Sequence, residues 1–129
     1  MASILLIEDT VAVRALFRTI LESGGHRVRE ASHGSEGVRE FRKCPTEVVI
    51  TDIYMPDGDG LEVICQLRRD CPAVKILAVS GRIGPDEMLS TAQLLGANGS
   101  LPKRVGVQDL LTAVANLVSG AHNGPPLQP

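Results

Sequence analysis

ILLIEDT, residues 4–10, carries the reading of this chain. Ile4, Leu5, Leu6 and Ile7 form an apolar run with no alternation, the pattern of a strand buried on both faces of a parallel sheet. Glu8 and Asp9 follow at once, so two carboxylates stand where that strand ends. VVITDIYMP, residues 48–56, repeats the arrangement, with Val48, Val49, Ile50 and Thr51 leading into Asp52. In open α/β sheets, ligands bind at the carboxyl ends of the strands. Oxygen donors gathered there make a site for a hard cation of the magnesium type, one that keeps waters and can hold a phosphate. The plainer alternative for a single acid is a solvated residue or a cap on the next helix. A Glu-Asp pair joined by an Asp ahead of Met55-Pro56 and Gly58-Asp59-Gly60 favours a functional site.

Outward from these two stretches, short apolar runs alternate with helical patterns. That alternation signals a parallel sheet covered on both faces. Strands are predicted at Ile4–Ile7, Arg27–Ala31, Val48–Thr51, Val74–Val79 and Gly99–Pro102. The charges of the second and Pro102 in the fifth suit edge positions. The first helix is predicted over Val11–Ser23, with Val13, Leu16, Phe17, Ile20 and Leu21 as its inward stripe and Gly24-Gly25 as its stop. The second spans Ser35–Lys43, with Val38 and Phe41 inward. The third spans Leu61–Arg69, with Leu61, Ile64, Cys65 and Leu67 toward the core. Pro85 suits the first turn of a fourth helix that ends at Gly96. The last helix follows Gly106 with a stripe of Leu110, Leu111, Val114, Leu117 and Val118. The fold class is therefore α/β: a doubly wound, five-stranded parallel sheet with five helices in one domain. Right-handed crossovers allow the flavodoxin-like order 2-1-3-4-5, which sets strands one and three side by side and brings Glu8, Asp9 and Asp52 together. Residues 1–119 form the domain, and GAHNGPPLQP, residues 120–129, reads as a disordered tail or the start of a linker.

The chain has 129 residues, one domain's worth, and buries roughly two-thirds of its unfolded surface without a staple. A net charge of -2 leaves no basic footprint for nucleic acid, and Phe17, Phe41 and Tyr54 are too few to make stacking platforms. Cys44, Cys65 and Cys71 are odd in number and lack C-x-x-C spacing, as expected of reduced thiols in a cytoplasmic protein. No stretch reads as a signal peptide or a membrane span. His26, His33 and His122 read as scattered surface residues, and Arg14 and Arg18, one turn apart, as a solvated helix face.

Asp52 is the candidate nucleophile, since a carboxylate that attacks phosphorus gives an acyl phosphate. An anion attacking an anionic phosphoryl group needs its charge neutralised, and a magnesium ion held by Glu8, Asp9 and Asp52 would do that. Lys103, just after the fifth strand, suits the cation required on the other side of the phosphoryl group. Ser80 ends the fourth strand, where its hydroxyl could donate to a phosphoryl oxygen or serve as a helix cap. Gly81 leaves room for a ligand, and Gly58 and Gly60 allow a tight turn.

These motifs, in this order, resemble the receiver domain of two-component response regulators of the chemotaxis-regulator type. The resemblance covers residues 3 to 119. It rests on the acidic pair, on D-x-x-M-P-x-x-D-G from Asp52 to Gly60, on Ser80-Gly81, on G-A-x-G from Gly96 to Gly99, and on Lys103. It implies a phosphorylation-controlled signalling switch, not an enzyme that turns over a small molecule. Asp52 would accept a phosphoryl group from a sensor histidine kinase or phosphotransfer protein, and a further protein downstream would read the result. Glu8, Asp9, Asp52 and the Tyr54 carbonyl would hold Mg2+, while Ser80 and Lys103 would engage the phosphoryl group.

Two positions depart from the family pattern. Ser100 stands where an aromatic is usual, and Arg104 stands where proline follows the lysine through a cis bond. A cis bond before a non-proline residue costs about 2.5–4 kcal/mol, so a trans bond is expected here. These departures keep a second reading in view, a receiver-like binding module that works without phosphorylation. A third, a magnesium phosphatase with an aspartyl nucleophile, ranks last because Tyr54 stands where such enzymes commonly carry their acid–base Asp.

Overall fold

Alternate residues of the central strands face opposite helical layers, and this alternation sets the architecture. In the computed structural model, which describes residues 1–55, 58–81, 87–104 and 106–119, β1 spans Ser3–Ile7 and β3 spans Val48–Asp52. Leu5, Ile7 and Val49 belong to one apolar core; Ile4, Leu6, Val48 and Ile50 belong to the other. Both faces are therefore dry, which is why neither strand alternates apolar with polar residues.

The remaining elements are α1 (Val11–Ser23), β2 (Arg27–Ala31), α2 (Gly34–Lys43), β4 (Tyr54–Met55), β5 (Gly58–Asp59), α3 (Gly60–Asp70), β6 (Lys75–Ser80), α4 (Glu87–Leu95), β7 (Gly99–Pro102) and α5 (Val107–Ser119). The main sheet is parallel throughout and runs β2-β1-β3-β6-β7, the expected order, with the charged and the proline-bearing strands at its edges. Helices α1 and α5 cover one face; α2, α3 and α4 cover the other. Tyr54–Met55 and Gly58–Asp59 add a small antiparallel pair beyond β3. Helix α1 ends through Gly25, whose φ of 86° lies in the left-handed region that a side chain disfavours.

Several local expectations need correction. Leu16 and Val118 were expected inward but are exposed, because each sits at the margin of its helix's apolar stripe. On α3 the inward residues are Val63, Ile64 and Leu67, and Cys65 is only half-buried. His26 and His33 are half-buried and bonded rather than scattered on the surface. His26 Nδ1 accepts from the Ala2 N–H at 3.0 Å, and His33 caps α2 by accepting from the Glu36 N–H at 3.3 Å. Pro85, His122 and the expected tail of residues 120–129 lie outside the described residues.

Candidate functional site

The parallel register delivers the acids to one place. Ile7 pairs with Thr51, so Glu8 and Asp52 follow from adjacent central strands. Asp52 pairs with Val79 and Ser80 pairs with Pro102, so β6 and β7 end at the same rim and hand on to Lys103. The rim is tied together by backbone bonds: Glu8 N–H to Ala31 O at 3.0 Å, Ile53 N–H to Val79 O at 3.0 Å, and Lys103 N–H to Ser80 O at 2.6 Å. Among the described residues no peptide bond is cis, and Lys103–Arg104 is trans as expected.

Gly60 lets α3 close beneath this rim. A Cβ there would lie 2.3 Å from Ile53 Cα and 2.4 Å from the Asp52 carbonyl oxygen, so any side chain would push the helix off the acceptor strand. Gly81 lies under the stem of Lys103, with an added Cβ 3.4 Å from Lys103 Cδ.

One carboxylate oxygen from each of Glu8, Asp9 and Asp52 falls within 4.8 Å of the others. Glu8 and Asp52 are each 1% exposed, whereas Asp9 is half-buried. Lys103 Nζ bridges the two buried acids, 2.8 Å from Asp52 Oδ2 and 3.0 Å from Glu8 Oε2. Asp52 Oδ1 accepts the Tyr54 N–H at 3.0 Å, and Glu8 Oε2 also accepts the Thr10 N–H at 2.9 Å. Glu8 Oε1 sits 2.8 Å from Nζ, yet off the direction a hydrogen bond requires, and it is left without a hydrogen bond. The contact is electrostatic and leaves that oxygen's lone pairs uncommitted.

Burial is the chief reason the Glu8 carboxyl is raised above its ordinary range; the hydrogen bond from Lys103 pulls the other way without cancelling it. Burial also opposes the Lys103 ammonium, but hydrogen bonds to Asp52 and Glu8 outweigh it, and its pKa is raised. The two buried acids thus share one cation, and the trio as a whole stays short of positive charge. An orphaned, buried carboxylate oxygen amid hard oxygen donors fits a magnesium ion, which prefers one or two carboxylates and retained waters.

Each residue expected at the site lies at this rim. Glu8, Asp9, Asp52 and Lys103 meet directly, Tyr54 bonds Asp52 through its backbone, and Ser80 is buried at the end of the neighbouring strand. Arg14 and Arg18 are the miss. Arg14 reaches the Glu8 carbonyl oxygen at 2.8 Å, and both arginines pair with Glu30 on β2. Opposite charges on α1 and the first edge strand were the available signal.

A doubly wound sheet with an acidic trio and a lysine at its carboxyl rim defines a phosphoryl-accepting switch domain. Comparison with known proteins agrees: the family described as response regulator receiver domain matches residues 4–115, and the chain belongs to it. It is 34% identical over 110 residues to the KDP operon transcriptional regulatory protein KdpE of Escherichia coli, a match that covers 85% of this chain and 48% of that protein. It is 30% identical over 117 residues to the chemotaxis protein CheY of Halobacterium salinarum, covering 90% of this chain and 96% of that one. Among solved structures, a response regulator receiver domain protein from Clostridium thermocellum superposes with a TM-score of 0.86 at 30% identity, covering 93% and 96% of the two chains. The chain thus spans about half the length of the transcriptional regulator and nearly all of the chemotaxis protein. Membership makes it a phosphorylation-controlled domain with a magnesium-type acidic site. Among the described residues no helix is long and apolar enough to cross a membrane.

Proposed function

We propose that Asp52 is the phosphoryl acceptor, that Glu8, Asp9, Asp52 and the Tyr54 carbonyl hold magnesium, and that Lys103 and Ser80 receive the phosphoryl oxygens. The observation that carries this reading is the Lys103 bridge to two carboxylates that are almost wholly buried. A carboxylate at the end of a central strand, backed by Ile53 and the Gly60 turn, is held rigidly enough to attack in line.

In the step, an Asp52 carboxylate oxygen forms a bond to phosphorus as the bond from phosphorus to the donor's histidine nitrogen breaks. The electron pair returns to the imidazole, which then takes up a proton from solvent. Magnesium, when bound, supplies neutralisation of the charge on the phosphoryl oxygens. Lys103 changes partners as the reaction proceeds: the Asp52 carboxylate it now holds loses its charge on becoming an acyl phosphate, and the ammonium turns to a phosphoryl oxygen. Ser80 presents its hydroxyl from β6. The Tyr54 N–H keeps Asp52 Oδ1 fixed.

The signal passes to a downstream protein of unassigned identity; nucleic acid is not contacted by this domain, whose net charge is -2. A reducing, cytoplasmic setting belongs to this reading, on the odd number of cysteines and their lack of C-x-x-C spacing. Residues 1–119 are the functional unit of this reading.

Intact-mass measurement after incubation with magnesium and a small acyl phosphate is the test. Wild type is expected to gain one phosphoryl group and Asp52→Asn none. Equal modification of both would remove Asp52 from the role, and no modification of wild type would favour a binding module that works without phosphorylation.

A further inference from the structure

Arg14 lies just inside α1, and its side chain turns back to the strand end the chain has just left. Its Nη1 donates to the Glu8 carbonyl oxygen at 2.8 Å, and its Nε donates to Glu30 Oε1 at 3.0 Å. Glu30 is pinned in turn, since its register partner is Leu6 on β1 and its second oxygen accepts from Arg18. The Arg14 side chain is only 17% exposed. A forked guanidinium held on one prong by a carboxylate has a fixed second prong, as a lysine's rotating ammonium would not.

We propose that Arg14, locked by Glu30, is a positioning residue for the cation site: by holding the Glu8 carbonyl it fixes the peptide that leads into Asp9 and so sets the spacing of the two acids. The inference rests on the reading of Glu8, Asp9 and Asp52 as magnesium ligands. Groups one bond removed from a ligand hold its orientation, and their loss weakens metal binding.

The sign of the effect separates positioning from charge. If Arg14 acted only through its charge, removing a cation beside a cation site would tighten magnesium binding. If it acts by position, removal weakens binding in spite of the charge gain. A general loss of fold stability is separated by Arg29, another arginine tied into the framework, which bonds the Cys44 and Glu40 carbonyls and the Glu40 carboxylate at the far end of α2, away from Glu8, Asp9 and Asp52.

The experiment titrates magnesium chloride into metal-free wild type, Arg14→Met, Arg14→Lys and Arg29→Met by calorimetry, well below each melting point. Arg14→Met is expected to bind about tenfold more weakly, the low end for an outer partner that holds a ligand's backbone instead of its carboxylate. Arg14→Lys, with charge kept and the fork lost, should fall between it and wild type, and Arg29→Met should match wild type. In the metal-free proteins the Thr10 amide, which donates to Glu8 Oε2, should exchange its hydrogen faster in Arg14→Met. Unchanged or tighter binding by Arg14→Met, or equal weakening by Arg29→Met, overturns the proposal while leaving the acidic site intact. Absence of binding by wild type overturns the acidic site and the proposal with it.

Discussion

Lys103 and a divalent cation would compete for the same oxygens. In the structure its ammonium is the counter-ion of Glu8 and Asp52, lying 2.8 Å from an oxygen of each. Lys103→Met keeps the stem over Gly81 and removes only the charge. Two carboxylates that are 1% exposed then lose their shared cation, and breaking a buried pair from one side costs about 3–5 kcal/mol. Lys103 is itself 17% exposed, so the lower end, about 3 kcal/mol, is expected in urea unfolding of the metal-free protein. Magnesium affinity should rise several-fold, because a competing cation has gone, while phosphoryl transfer to Asp52 should fall sharply. Weaker magnesium binding by the variant, measured by calorimetry, would mean that Lys103 builds the cation site instead of facing it.

At the scale of elements, the strands and their order were readable because buried parallel strands are marked by unbroken apolar runs, and Glu8, Asp9 and Asp52 were readable because they end such runs. What stayed hidden is contact between elements. Arg68 stands in the last turn of α3, where a basic residue needs no partner beyond the helix end. In the structure it bonds the Pro72, Val74 and Gly96 carbonyls and Asn98 Oδ1, which also accepts the Ile76 N–H, so one guanidinium ties α3 to the starts of β6 and β7. Ser100, in place of the usual aromatic, accepts from Gln93 Nε2 at 3.0 Å, a polar link between α4 and β7 that no local pattern announces. His26 is a third case, since its partner is Ala2, the residue before β1. There Nδ1 must be unprotonated to accept, and burial lowers the His26 pKa below its ordinary 6.5. Because the folded value is depressed, the histidine's contribution to stability is complete above about pH 6.5 and declines as the pH falls through the folded value. Wild type is therefore expected to lose more stability than His26→Gln between pH 7.5 and pH 5, as read from the two urea midpoints. Parallel pH profiles would show that His26 does not stay neutral in the fold.

For the whole molecule, the cation site joins residues that leave β1 and β3, the adjacent strands on which both apolar cores are built. A ligand that needs both strands in register binds the folded chain and not the unfolded one. Its binding energy therefore adds to global stability by mass action. At ten times its dissociation constant, magnesium should contribute about 1.4 kcal/mol. For a chain of 129 residues that corresponds to a rise in melting temperature of roughly 5 °C. The rise should be absent in the Asp9→Asn, Asp52→Asn double variant, which leaves Glu8 alone with Lys103. Sodium chloride at matched ionic strength separates the effect from screening, since it weakens repulsion among the acids without bridging them. An equal shift in the double variant, or with sodium chloride, would show that magnesium acts on the diffuse charge of the surface and that the acids at the strand ends do not hold it together.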